Sequence, residues 1–168
     1  DYMSSLIETL ESTGFTRGNN LFGAGYDFRK IGSDSEITQW CKEMKNLIEL
    51  SCSDQEQPAV IIGHDLGSVI ANYFLVNENK EWKNKYIKSF ISISGAFGGT
   101  PKALRSILSG TGDSKIFNET IKNFSGLSLM LPNTKVYGNN PLVHLDGISY
   151  SSADIPKLLK NVSENAYD

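Results

Sequence analysis

Apolar positions recur along this chain in two periods, and the switches between those periods divide it into helices and strands. Leu6, Ile7 and Leu10, with Met3 ahead of them, fall at helical spacing before Gly14, which predicts a helix over residues 2–13 closed by a glycine. Phe15 to Arg29 is punctuated by glycine instead. Within it Leu21–Tyr26 reads as a short strand and Asp27–Arg29 as the loop after it. Ile37, Trp40, Cys41, Met44, Leu47 and Ile48 trace one face of a second helix, capped by Ser33 or Asp34, with Glu36 in its first turn and its end near Ser51. A polar connection, Ser53–Gln57, leads into the β-branched run after Pro58, and Leu66, Val69, Ile70, Tyr73 and Phe74 return at once to helical spacing.

The second half continues the alternation. Asn77–Glu81 is a polar break, Trp82 and Tyr86 mark a short helical turn, and Ile87–Ser94 is the next strand. Gly95 opens a loop that runs to Pro101, a favoured first residue of a helix, and Ala103, Leu104, Ile107 and Leu108 carry that helix to Gly110. Residues 114–124 suit a further amphipathic helix through Ile116, Phe117, Thr120, Ile121 and Phe124. Leu127–Met130 is apolar and stops at Leu131-Pro132. Leu142–Leu145, Asp146-Gly147 and Ile148–Tyr150 predict a hairpin, and a last helix capped near Ser152 covers Ala153–Asn161, with Pro156 near its first turn. Helices alternating with strands predict an α/β fold with a mostly parallel sheet flanked by helices.

Composition narrows the picture without redirecting it. A chain of 168 residues with 39% hydrophobic content can bury one core, so a single domain is expected over 1–168. Its net charge of −3, with acids and bases interspersed, implies neither nucleic acid nor an anionic membrane surface as a partner. The first residues lack a signal peptide's basic start and apolar centre, and the chain opens as if cut from something longer. Cys41 and Cys52 lie about 16 Å apart if one helix carries both, too far to pair, and read as ordinary thiols. Asn118, Asn123 and Asn161 head glycosylation triplets, which matter only if the chain enters the secretory pathway.

The candidate chemistry sits where the strand Pro58–Ile62 turns through Gly63-His64-Asp65-Leu66-Gly67 into a helix. Gly63 and Gly67 lack side chains where strand and helix must pass close together. Residue 65 is thereby driven into a strained conformation with its side chain exposed at the sheet edge. The corner resembles the nucleophile elbow of the α/β-hydrolases, with the helix N-terminus and the Leu66 amide facing a would-be oxyanion. Serine is usual at the tip, and here the residue is Asp65. A carboxylate attacking an ester gives a mixed anhydride, and the tetrahedral intermediate expels the carboxylate rather than the alkoxide. Ester transfer through Asp65 is therefore disfavoured. Displacement at saturated carbon is not, because opening an epoxide or displacing a halide leaves an ordinary alkyl ester that water can cleave. A noncatalytic Asp65 is also comfortable, since Asp tolerates left-handed backbone and its charge suits a helix N-terminus.

Gly25–Arg29, the elbow at 63–67, Trp82–Ile87, Ile93–Thr100 and Leu129–Pro132 form an ordered set that resembles the lecithin:cholesterol acyltransferase family, including its lysosomal phospholipase A type. The resemblance implies an α/β-hydrolase fold that moves a fatty acyl group from a phospholipid to water or to a lipid alcohol through an acyl-enzyme. It implies no metal or cofactor, and a secreted, lumenal, lysosomal or vacuolar setting. Carried over, Asp65 takes the nucleophile position, Leu66 supplies an oxyanion amide, and His64, Phe97 and Gly98 border the pocket. His64 normally supports the backbone of such a corner, and Asp27 with Arg29 reads as a structural ion pair. The family's first strand and lid are expected before residue 1, and its triad acid and histidine after residue 168. Contact with a membrane or lipid particle falls to those segments. Within the chain the order Asp65, Asp113, His144 can be written as a triad, but His144 lies in an apolar strand-like run and reads as a core histidine. Ser68, one turn into the helix, points down it rather than into the pocket. Three functions follow: a lipid acyltransferase or phospholipase homologue stopped by Asp65, an Asp-nucleophile dehalogenase or epoxide hydrolase, and a noncatalytic lipid-binding module. Leu66, where the dehalogenase type usually carries tryptophan, counts against the second.

Overall fold

A computed structural model describes residues 3–110 and 120–165, with side chains in the last helix described through Asn161. The first helix, α1 (Ser4–Ser12), ends at Thr13 and Gly14, whose φ of +103° turns the chain away, and none of its residues is buried. The expected strand at Leu21–Tyr26 does not form. Leu21 makes a single bridge to Arg17, and the rest runs on without a sheet partner. Gly23 and Gly25 weaken that segment as a strand, and Ala24 and Tyr26 pack on the core as side chains instead.

The segment is held from its far end. Ser125 donates its backbone amide to the Arg29 carbonyl at 2.8 Å, Gly32 donates to Ser125 Oγ at 3.1 Å, and Phe28 meets Phe124 edge-on at 5.5 Å. Helix α2 (Asp34–Gln55) follows from its Ser33 cap and buries Ile37, Trp40, Met44, Ile48 and Cys52. It runs a turn past its expected end, because Cys52 continues the apolar face and donates its thiol to the Tyr86 carbonyl at 3.4 Å. Cys41 and Cys52 are both free thiols.

Strand β1 (Ala59–His64) then pairs in parallel with β2 (Ile87–Ile93), in the register Ile61 to Phe90 and His64 to Ile93. The crossover between them is α3 (Leu66–Asn77) and α4 (Lys80–Tyr86). Ile61, Ile70, Phe74, Trp40 and Trp82 lie in the main core under these elements. Trp40, Phe74 and Trp82 meet edge-to-face at 6.3 and 5.6 Å, an arrangement worth about 0.5–1.5 kcal/mol per pair beyond burial. Val60, Ile91 and Ile93 face the other side of the sheet and are exposed.

Helix α5 (Pro101–Ser109) starts at Pro101 as expected, behind a Thr100 cap. The apolar run near Leu127 is a 3-10 helix, Ser125–Met130, and a short helix that periodicity did not reveal, α6 (Thr134–Tyr137), follows on an Asn133 cap. Strands β3 (Pro141–Leu145) and β4 (Ile148–Ser151) form the expected hairpin, with Asp146 and Gly147 both at positive φ. A 3-10 turn, Ser152–Asp154, leads into α7 (Ile155–Asn165) through a capping box between Ser151 and Asp154. Leu104, Tyr150, Ile155 and Leu158 are buried outside the main cluster. The expected helix at 114–124, with Asp113 before it, lies largely outside the described residues. Among the described residues the parallel sheet has two strands, smaller than expected but compatible with an α/β fold, and no helix is long and apolar enough to cross a membrane.

Candidate active site at the strand-helix corner

Strand β1 ends at His64 and α3 begins at Leu66, so the whole reversal falls on Asp65. Its backbone has φ 49° and ψ −119°, a combination L residues avoid. Two hydrogen bonds hold it there. The Asp65 amide donates to the Ile93 carbonyl at 2.9 Å, tying the corner to the end of β2, and its carbonyl accepts from the Ser68 amide at 3.0 Å. The side chain is exposed and makes no capping hydrogen bond. The Leu66 amide, first of the helix, has no acceptor among the described residues, while the Leu66 side chain is buried. A carboxylate and a helix N-terminus thus stand together at one exposed point.

The two glycines serve different ends. A β-carbon on Gly63 would lie 2.8 Å from Ser68 Cα and 2.9 Å from Ser68 N, so strand and helix cross in backbone contact there. A β-carbon on Gly67 would meet nothing closer than the Tyr26 hydroxyl, at 3.5 Å, an ordinary contact. The expectation that both glycines permit the crossing is corrected for Gly67. Ser68 is fully buried, and its Oγ has no hydrogen-bond partner among the described residues, so it is out of reach of any substrate.

Tyr26 is the residue sequence reasoning missed. Its phenol stands over the first turn of α3, its ring meets Trp40 edge-on at 6.4 Å, and burial pushes its pKa up, with the Asp65 carboxylate raising it further. The signal was its place in Gly25–Arg29, where only the charged neighbours drew a role. Those neighbours pair as expected. Asp27 Oδ2 accepts from Arg29 Nη2 at 2.7 Å, and Oδ1 from Nε at 2.8 Å and from the Arg29 amide at 3.0 Å. The Arg29 side chain, with the backbone bond second, lowers the Asp27 pKa to about 2.

The loop leaving β2 emerges beside the corner, since β1 and β2 are parallel and end together. Phe97 on this loop is exposed, and its carbonyl accepts from Asn133 Nδ2 at 3.3 Å. Gly98 accepts from the Asn133 amide at 3.0 Å, and the Gly99 carbonyl accepts from the Tyr137 hydroxyl at 3.1 Å. The 131–137 segment therefore braces this loop. His64 is half-buried at the end of β1. His144 is in a strand, but it is exposed rather than in the core, because no described residue covers its face of the two-stranded hairpin. Its Nδ1 lies 2.9 Å from Ser149 Oγ across the hairpin, which packs on the Ser152–Asp154 turn and α7. A cavity of about 520 Å³ lies between α5 and β3, lined by Leu104, Arg105, Leu108, Leu142 and Val143 among others, and no residue of the corner borders it.

Comparison with known proteins gives this geometry its context. The chain is 33% identical over 109 residues to the bovine (Bos taurus) lysosomal phospholipase A and acyltransferase, covering 65% of this chain and 26% of that protein. It is 27% identical over 176 residues to lecithin-cholesterol acyltransferase-like 1 of Arabidopsis thaliana, covering 96% of this chain and 41% of that protein. Phosphatidylcholine-sterol acyltransferase of Gallus gallus is 34% identical over 109 residues, 65% of this chain and 26% of its own length. The chain thus spans between about a quarter and two fifths of the length of these relatives. The family model for lecithin:cholesterol acyltransferase matches residues 1–157, a span that holds β1, the corner, α3, β2 and the loop after it, and the chain belongs to that family.

Proposed function

We propose that this chain is a partial α/β-hydrolase domain of a lipid O-acyltransferase or phospholipase A homologue, in which Asp65 occupies the position of an acyl-accepting serine. The observation that carries the reading is the Asp65 backbone, bent to φ 49° between the last residue of β1 and the first of α3. Strain of this kind costs about 1–3 kcal/mol and serves to lift one side chain clear of the sheet edge. The free Leu66 amide and the helix N-terminus behind it supply the donor and the partial positive charge that an oxyanion needs. Phospholipid or another lipid ester is the substrate class, as the names of the relatives suggest. A lysosomal setting is in keeping with the first of those names.

Asp65 changes what this corner can do. A carboxylate is acceptor-only and already charged, so it repels the developing oxyanion and returns any acyl group it takes. Acyl transfer stops at the first step. The test compares the protein with its Asp65→Ser variant, using a fluorescent fluorophosphonate and a fluorescent glycerophospholipid. The parent is expected to remain unlabelled and to release no fatty acid, and Asp65→Ser, with imidazole added as the base that a triad histidine would supply, to take one fluorophosphonate at residue 65. Turnover of the phospholipid with Asp65 in place would overturn the reading, as would a folded Asp65→Ser protein that stays unlabelled in the presence of imidazole.

A further inference from the structure

We propose that the cavity between α5 and β3 binds a medium-chain fatty acid, its carboxylate held by Arg105 and Lys102 and its alkyl tail lying along Leu104, Leu108, Leu142 and Val143. No residue of the corner borders this cavity, so the inference goes beyond the acyl-transfer reading and does not depend on it. Three features of the lining converge. Pro101, Leu104, Arg105 and Leu108 fall at positions i, i+3, i+4 and i+7 of α5, which puts them on one face of the helix, and all four border the cavity. Opposite them, the pairing of β3 with β4 shifts register between Pro141 and Val143, and at this irregularity two successive residues, Leu142 and Val143, line the same space. Leu104 is buried, while Leu108, Leu142 and Val143 are half-buried and keep aliphatic surface uncovered. The third feature is charge. Lys102 stands three residues before Arg105, both are exposed, and neither pairs with a carboxylate among the described residues. No acidic side chain is among the described residues that line the cavity, and none lies in the first turn of α5.

This lining selects a ligand by chemistry. Its apolar part is leucine, valine and proline, with no aromatic face for a flat ring among the described residues, and Ser109 is its one polar side chain besides the two cations. A ligand with polar groups along its body would lose their hydration here without replacement, whereas a plain alkyl chain loses nothing. The volume, about 520 Å³, is that of a small-molecule site. From Lys102 to Ser109 the helix rises about 10 Å, roughly the reach of an extended ten-carbon chain. At the exposed end, the Arg105 guanidinium offers paired N–H donors in the geometry of a carboxylate, and Lys102 adds a second positive charge. Water screens both cations, so the tail supplies most of the affinity and the head supplies the preference for an anion.

Titration calorimetry of the protein with decanoate, decanol and decyltrimethylammonium, each below its micellar concentration, separates tail from head. Decanoate is expected to bind at one site, about tenfold tighter than decanol, with decyltrimethylammonium weaker than both. Affinity is expected to rise about threefold per methylene from hexanoate to decanoate. Arg105→Gln, at an exposed position, is expected to weaken decanoate about fivefold while leaving decanol within about twofold. Decanoate carrying a diazirine near the end of its tail is expected to crosslink, on irradiation, to peptides within 101–109 or 141–145. Absence of saturable decanoate binding overturns the proposal. Equal weakening of decanoate and decanol by Arg105→Gln also overturns it, because the guanidinium would then only support the fold, and so does crosslinking confined to residues 58–67 or 95–100, which would put the tail at the corner. Fluorophosphonate labelling of Asp65→Ser reports on the corner separately, so either idea can fail while the other stands.

Discussion

Gly63 and Gly67 occur in one short motif, yet the structure predicts that alanine at the two positions shifts stability in opposite directions. At Gly63 the new methyl would lie 2.8 Å from Ser68 Cα, 2.9 Å from Ser68 N and 3.0 Å from the Gly67 carbonyl oxygen. All three are backbone, so no side chain can swing aside. Either β1 or the first turn of α3 must move, and both are pinned, β1 by its pairing with β2 and the corner by the Asp65 to Ile93 hydrogen bond. Overpacking costs about 1–3 kcal/mol, and the smaller unfolded-state entropy of alanine returns part of it, leaving a loss of about 1–2 kcal/mol. For a domain of this size that lowers the melting temperature by about 2–8 °C. Gly67→Ala instead places a methyl in ordinary contact with the Tyr26 hydroxyl, inside a helix where alanine is favoured over glycine by about 1 kcal/mol. Its melting temperature is expected to rise by a few degrees.

Thermal unfolding followed by circular dichroism measures both variants against the parent. Matching shifts of the same sign would refute the reasoning, since they would mean that the motif responds to glycine content and not to the crossing at Gly63. A Gly63→Ala protein that melts with the parent would refute it more directly.

Three further outcomes follow from other parts of the structure. Phe74 is 1% exposed between Trp40 and Trp82, so Phe74→Ala should cost about 3–5 kcal/mol, read as a lowered midpoint in urea. The Asp27 carboxylate, with its pKa lowered to about 2 in the folded chain, stabilises that state above its ordinary pKa near 3.8, and the contribution disappears as pH falls from about 4 through 2. Arg29→Ala should flatten the stability profile across that window and leave its shape near neutral pH unchanged. Ultraviolet titration of Tyr26, assigned by difference from Tyr26→Phe, should find its pKa above the ordinary 10.0 and lower in Asp65→Asn, but still raised, because burial is the larger cause.

Local pattern reads well here wherever an element buries a regular face. Ile37, Trp40, Met44 and Ile48 specify α2, and Asp146-Gly147 specifies the hairpin turn, because spacing and turn chemistry are properties of neighbours in the chain. The misses depend on neighbours in space. Whether Leu21–Tyr26 becomes a strand is decided by whether a sheet edge lies beside it, and β1 offers its described partner on one side only. The last turn of α2 depends on Cys52 finding the Tyr86 carbonyl, 34 positions away. His144 looked interior because its neighbours are apolar, but two strands without a third layer leave the outer face to water.

The corner itself divides along the same line. Its backbone is local: a β-branched run, two glycines and a helical period fit one sharp turn, so the strain at Asp65 is legible in the sequence. Its environment is not. Tyr26 reaches the first turn of α3 from 41 positions upstream of Gly67, on an irregular segment whose course is set by hydrogen bonds to Ser125, almost a hundred residues later. No window of sequence holds all three. The consequence is chemical as well as architectural, because the phenol that arrives over the corner answers first to its own burial and then to the Asp65 charge, a coupling that neither residue's local sequence announces.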